Sequence, residues 1–229
     1  MPPDGIWRGG TLGGWDWAEA AVRRSVRGSL RRELAGVYVR GSWPAGGVLA
    51  PNHHSWWDGY LLRELAWQTG QPFTVMMTDE QLSRFPFLRR GGALGVRDLR
   101  EAVRRAAQGH WVVVFPEGEI RPAGPPAALH PGAAWLAQVA GVALYPVALR
   151  LALRGAERPE AFIRFGVAVP PASFPLALHR LVADLDADLF TSCPGTSPDG
   201  YLRVVAGRQS RHDTVGVPAR MLTWLTGDS

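Results

Sequence analysis

The sequence predicts an α/β domain: a single unit with a central, largely parallel or mixed sheet flanked by helices. An amphipathic helix precedes it and a small C-terminal appendage follows. Short apolar runs of strand character alternate with stretches whose apolar residues recur at helical spacing, the pattern of a sheet covered by helices. One run, Trp111–Phe115 (Trp-Val-Val-Val-Phe), is apolar throughout, as a central strand buried on both faces must be. The length of 229 residues, with 46% hydrophobic and 20% charged, suits one folded domain with a full core and not a disordered chain.

Residues 1–14, rich in Gly and Pro, read as a loose arm. From Trp15 to Leu34, Trp17, Ala21/Val22, Val26, Leu30 and Leu34 fall on one helical face, and Arg23, Arg24, Arg27, Arg31 and Arg32 gather opposite. Gly36–Arg40 and Gly47–Ala50 read as strands, Ser55–Gln68 as a helix, Phe73–Met77 as a strand and Asp79–Phe85 as a short helix. Gly92–Val96 is a further strand. Asp98–Gln108 is a helix whose acidic start, Asp98 and Glu101, suits the helix dipole. After the strand Trp111–Phe115, Pro131–Ala140 reads as a helix with Pro in its first turn. Ala143–Leu153 and Phe162–Val169 are strands and Leu176–Leu189 a helix. The turn chemistry of Thr191–Gly200 closes the main domain. Beyond it, Arg203–Gly207 and Pro218–Leu225 read as a helical piece. The expected division is 1–34 for the arm and basic helix, 35–190 for the main domain and 191–229 for linker and tail.

The net charge is +5, and all 25 basic residues are Arg, whose planar fork matches phosphate bidentately. Such a balance points to anionic partners. Nucleic acid is not among those expected: there is no zinc-finger spacing, no basic low-complexity tail and no RNA-binding aromatic signature. Cys193 is the single cysteine, so no internal disulfide or cysteine cluster for zinc is available. No run approaches the roughly 20 apolar residues of a spanning helix, so a peripheral place at the cytoplasmic face of a membrane is expected, with no spanning helix. The basic helix and nearby tryptophans, among them Trp7, Trp15 and Trp17, suit an anionic headgroup boundary.

Two segments carry chemistry, Asn52-His53-His54-Ser55-Trp56-Trp57-Asp58 and Phe115-Pro116-Glu117-Gly118-Glu119-Ile120-Arg121. Each directly follows a strand, and parallel strands deliver both to one sheet edge, where α/β proteins collect ligands. With a helix starting near Ser55, one turn of winding returns the Asp58 carboxylate to the His53 ring. Asp58 then holds the tautomer and stabilises the imidazolium, while His53 takes a proton from an alcohol. No Gly-x-Ser-x-Gly elbow accompanies them, so the substrate's own hydroxyl is expected to attack directly.

These segments resemble the glycerolipid acyltransferase family typified by 1-acylglycerol-3-phosphate acyltransferase. Its Asn-His-x₄-Asp block is matched by Asn52, His53 and Asp58, and the first four residues of its Phe-Pro-Glu-Gly-Thr-Arg-Ser block by Phe115–Gly118. Its Gly-rich strand ending in Arg resembles Gly91–Arg97, and its apolar strand with a central proline resembles Ala143–Ala148. The resemblance spans roughly residues 35–150. It implies transfer of a fatty acyl group from an acyl-CoA or acyl carrier protein thioester, as co-substrate, to a lysophospholipid hydroxyl in phospholipid biosynthesis, with no metal and no bound cofactor. In these terms His53 is the base and Asp58 its orienting partner; Asn52, Glu117, Gly118 and Arg121 bound the acceptor site, and Arg97 clamps the acceptor's phosphate. Here Glu119 and Ile120 replace the family's Thr and Arg, and the arginine moves one place to Arg121. An apolar tunnel for the lipid chains is expected from Trp56, Trp57, Trp67, Met76 and Met77. Two other classes remain open. One is a metal-dependent hydrolase using His53, His54, Asp58 and Glu117, although no His-x₃-His or His-Glu-x-x-His occurs. The other is a non-catalytic lipid-binding protein.

Overall fold

The computed structural model describes residues 16–155, 157–193, 196–208, 221 and 224–226. Eight strands form one mixed sheet: β1 (Gly36–Arg40), β2 (Gly47–Pro51), β3 (Phe73–Met77), β4 (Ala93–Gly95), β5 (Trp111–Val113), β6 (Leu144–Ala152), β7 (Glu160–Phe165) and β8 (Leu202–Ala206). Their order is β4-β3-β5-β2-β6-β7-β1-β8. β4, β3, β5, β2 and β6 run parallel, β7 returns antiparallel to β6, β1 runs with β7, and β8 is antiparallel to β1.

Alternation along each strand sorts side chains to two cores. Leu49, Trp111, Val113, Val147, Leu149 and Ile163 face one side, where helices α1 (Asp16–Glu33) and α2 (Asp58–Thr69) cover them. Val48, Ala50, Val112, Ala148 and Phe162 face the other, under α4 (Leu99–Ala107), α5 (Gly132–Ala140) and α6 (Phe174–Thr191). Small residues on the inner sides of α4 and α5 (Ala102, Ala106, Ala133 and Ala137, all buried) let these helices lie close to the sheet. A short α3 (Asp79–Arg84) and a 3-10 strap, Pro86–Gly91, link β3 to β4.

Helix α1 begins and ends within a residue of its predicted span. The C-terminal part of its apolar side is committed to the protein's own core, with Val26, Leu30 and Leu34 buried, while Trp17 is 71% exposed, and the helix packs against α2 and the strap. Its basic side is partly engaged as well, with Arg27 bonded to the buried Glu64 at 2.6 Å. Of Arg203–Gly207, expected to be helical, residues 203–206 are instead part of the edge strand β8; the β-branched pair Val204-Val205 fits a pleat, and β1 offers an open edge to pair with. Residues 221 and 224–226 are helical, while the rest of the predicted 218–225 helix and the arm 1–14 lie outside the described residues. Among the described residues no helix is long and apolar enough to cross a membrane.

Candidate active site

β2 and β5 are neighbours at the centre of the sheet, paired Gly47↔Trp111 to Leu49↔Val113. The loops leaving their carboxyl ends therefore meet. Helix α2 starts at Asp58, three residues later than predicted, so Asn52 to Trp57 form an open loop ahead of the helix. From the helix's first residue the Asp58 carboxylate folds back over that loop. One oxygen, Oδ2, accepts the His54 and Ser55 backbone N–H groups at 2.9 Å each and lies 2.9 Å from His53 Nδ1. Asp58 is wholly buried, and its other oxygen has no partner. A carboxylate only accepts, so the proton of a neutral His53 sits on Nδ1 and Nε2 is left with its lone pair. The ring stacks on Phe115 at 4.0 Å between centroids and keeps 19% of its side-chain surface open.

Glu117 supports the same loop from the β5 side. One carboxylate oxygen accepts the His53 N–H at 2.8 Å and the other the Ala127 N–H at 3.1 Å, with 3% of the residue exposed. The Arg121 N–H donates to the His53 carbonyl at 2.8 Å. The backbone of His53 is thus clamped on both sides by the second segment. Gly118 sits between at φ +72°, a left-handed conformation that disfavours a side chain, and a Cβ there would lie 3.2 Å from the His130 ring.

Asn52, expected at the substrate, is 2% exposed and its amide is committed to the sheet. Its Nδ2 donates to the Leu149 carbonyl at 3.1 Å and its Oδ1 accepts the Leu149 N–H at 2.7 Å. The side chain acts as one more rung of the β2–β6 ladder, beyond the last paired residue Pro51. A primary amide carries its donor and acceptor on separate atoms, as a backbone peptide does, which suits it to such a rung. The guanidinium of Arg121 is paired with Glu119 at 2.6 Å. Arg97 stands at the same sheet edge but at the end of β4, three strands from β2, or about 15 Å at the usual strand spacing. It is exposed and leans on Asp79 at 3.5 Å.

His54 points elsewhere than His53. Its Nε2 accepts the Leu151 N–H at 3.2 Å, and burial lowers its pKa below the ordinary 6.5, which keeps it an acceptor. Among the described residues no three His, Cys, Asp or Glu side chains gather to hold a metal ion. The expected tunnel residues do not come together. Trp56 is 54% exposed, Trp57 and Trp67 pack on the α1–α2 side of the sheet, and Met76 on the opposite side.

Two contributors escaped the sequence reading. Phe115 was read as the strand's end and the head of the second segment, with no role at the histidine, and it serves as the floor under the His53 ring. Arg150, 5% exposed, donates to both oxygens of Asp186 at 2.6 and 2.8 Å and to the Gly124 carbonyl at 2.7 Å, tying the loop after Gly118 to α6. The available signal was an arginine within the apolar run Val147–Leu151, since a fully buried charge needs a partner.

With the histidine, its carboxylate and the clamping loop in place, the comparisons with known proteins take on meaning. The family model described as Acyltransferase matches residues 37–150, half of the chain, and includes both chemistry-bearing segments. The chain belongs to this acyltransferase family, in keeping with the glycerolipid acyltransferases its motifs resemble. No curated protein matches it. Among solved structures, the 1-acyl-sn-glycerophosphate acyltransferase PlsC from Thermotoga maritima is similar at 22% identity. The alignment covers 75% of this chain and 76% of that one, with a TM-score of 0.49.

Proposed function

We propose that this acyltransferase moves a fatty acyl group from a coenzyme A or acyl carrier protein thioester to the hydroxyl of a lysophospholipid, 1-acylglycerol-3-phosphate or a close relative. The observation that carries this reading is the His53–Asp58 pair, in which a buried carboxylate held by three donors leaves Nε2 as the accepting nitrogen. In the reaction the acceptor's O–H gives its proton to Nε2 as its oxygen bonds to the thioester carbonyl carbon. The tetrahedral intermediate then collapses, the C–S bond breaks, and the imidazolium returns the proton to the departing thiolate. Asp58 stabilises the imidazolium, and such base catalysis contributes roughly 10²–10⁴-fold. Glu117, Gly118 and the Arg121 backbone hold the histidine's loop in that pose and shape the acceptor's place beside it.

Arg97 is assigned to the acceptor's phosphate. Its present partner Asp79 is an exposed ion pair, worth little in water, and a phosphate accepting two parallel N–H bonds replaces it readily. A lipid acceptor calls for a peripheral position on an anionic membrane at its cytoplasmic face, which the arginine-only basic complement suits. The deciding experiment is thiol release from acyl-CoA against a panel of lysolipids. Release dependent on one acceptor and lost in a folded His53→Ala variant is expected. Release undiminished in that variant refutes the base assignment.

A further inference from the structure

We propose that the strap Pro86–Gly91, with Trp56 beside it, is the surface by which the protein rests on an anionic phospholipid bilayer. The inference deepens the reading above and rests on it, since a lipid acceptor is what brings the His53 edge to a membrane. It starts from the distribution of apolar surface: the C-terminal half of α1's apolar face, with Val26 and Leu30, is buried, while Trp17 near its start and a second apolar track that includes Trp56 and Phe87 are open. Trp57 meets Tyr60 at 6.2 Å, Tyr60 meets Trp56 at 6.0 Å, Trp56 meets Phe85 at 5.9 Å and Phe85 meets Phe87 at 6.3 Å. The rings thus run without a break from the loop of the catalytic pair to the strap. Trp57 and Tyr60 root this track in the core, Phe85 is half-buried, and Trp56 and Phe87 are exposed, at 54% and 49%.

Guanidinium groups stand among these rings. Arg84, Arg89, Arg90 and Arg97 are exposed on this stretch, against three carboxylates, Asp79 and Glu80 on α3 and Asp98, which bonds Arg89 at 3.1 Å, so the arginines exceed the acids by one. Aromatic rings interspersed with guanidinium groups fit the boundary where headgroup phosphates meet acyl chains. The strap also abuts α1, Gly91 facing Val22, and Trp17 of α1 is 71% exposed, so α1 extends the same surface.

The test is co-sedimentation of the full chain with vesicles of phosphatidylcholine, alone and with phosphatidylglycerol added. Phe87→Ser is expected to weaken partition to the anionic vesicles about tenfold. Arg84→Gln is expected to weaken it about fivefold, an effect that vanishes on neutral vesicles. Trp135→Ala, an exposed aromatic on the opposite face, leaves partition unchanged. Phe87→Ser binding as tightly as the wild type, or Trp135→Ala weakening it equally, overturns the proposal. So does a wild type that pairs through Phe87 in solution and ignores vesicles. Turnover with a short-chain soluble acceptor, measured without vesicles, separates the two readings. If no acceptor supports turnover while partition responds as stated, the surface stands and the proposed function fails.

Discussion

Replacing Asp58 by Asn removes one charge and almost no volume, at the point where three donors converge on a single buried oxygen. The amide must turn its oxygen to those donors, because its NH₂ would confront them. The hydrogen bond to His53 Nδ1 then survives, and with it the tautomer. What is lost is the charge facing the imidazolium as it forms. Two unit charges about 4 Å apart at an effective dielectric near 20 attract by about 4 kcal/mol. Allowing for the neutral hydrogen bond that remains and the partial exposure of the ring, about 2–4 kcal/mol of transition-state stabilisation disappears, roughly 30- to 10³-fold in kcat. The acceptor's KM moves little, since the ground state carries no imidazolium. The new NH₂ occupies the position of the unpartnered Asp58 Oδ1 and becomes a buried donor without an acceptor, costing about 1–3 kcal/mol of stability. For a chain of this size that lowers Tm by about 3–10 °C. Initial-rate thiol release, with a thermal melt on the same preparation, measures both. A folded Asp58→Asn enzyme with kcat within tenfold of the wild type refutes the reasoning.

Asn52→Ala removes both bonds to Leu149 and strands a buried N–H and C=O, a loss of about 2–4 kcal/mol that chemical denaturation will read directly; an unchanged unfolding midpoint contradicts the rung assignment. His54 supplies a pH-dependent prediction. Burial, opposed by the Asp58 charge, lowers its folded pKa below 6.5. Its stabilising contribution is therefore complete above pH 6.5 and is lost as pH falls from there toward the lowered value, because the unfolded chain takes up a proton that the folded one refuses. Unfolding free energies measured across that window are expected to fall more steeply for the wild type than for His54→Asn. His110, shifted in the same direction by its own burial, is present in both proteins and cancels. A constant difference between the two proteins at every pH contradicts this account.

The reach of the sequence followed the distance over which each feature is decided. His53 and Asp58 were readable because their meeting needs only one loop and the first residue of one helix. Asn52 was misplaced for the opposite reason: its partner Leu149 lies 97 residues away, on a strand whose neighbour no local pattern names. The strap behaves similarly. Phe85 and Phe87 carried no periodic signal, and their relation to Trp56 exists only because the β3–β4 crossover returns over α2's start. The tail strand β8 was read as helix because five residues show little period, and the free edge of β1 settled its conformation.

By itself, then, the sequence determined the elements and the chemical kind of the site, since apolar periodicity and an Asn-His-x₄-Asp block are local properties of the chain. It also determined the positive charge, all of it arginine. Tertiary structure decided the rest. It set β2 beside β5, so that Glu117 clamps the backbone of His53, and it left Arg97 at the far end of the same edge. It also buried Val26 and Leu30 of α1 while leaving Trp17, Trp56 and Phe87 exposed. The physical reason is common to these cases. Strand order and helix cover are chosen by the burial of surface shared among segments far apart in the chain, and no segment holds that information alone.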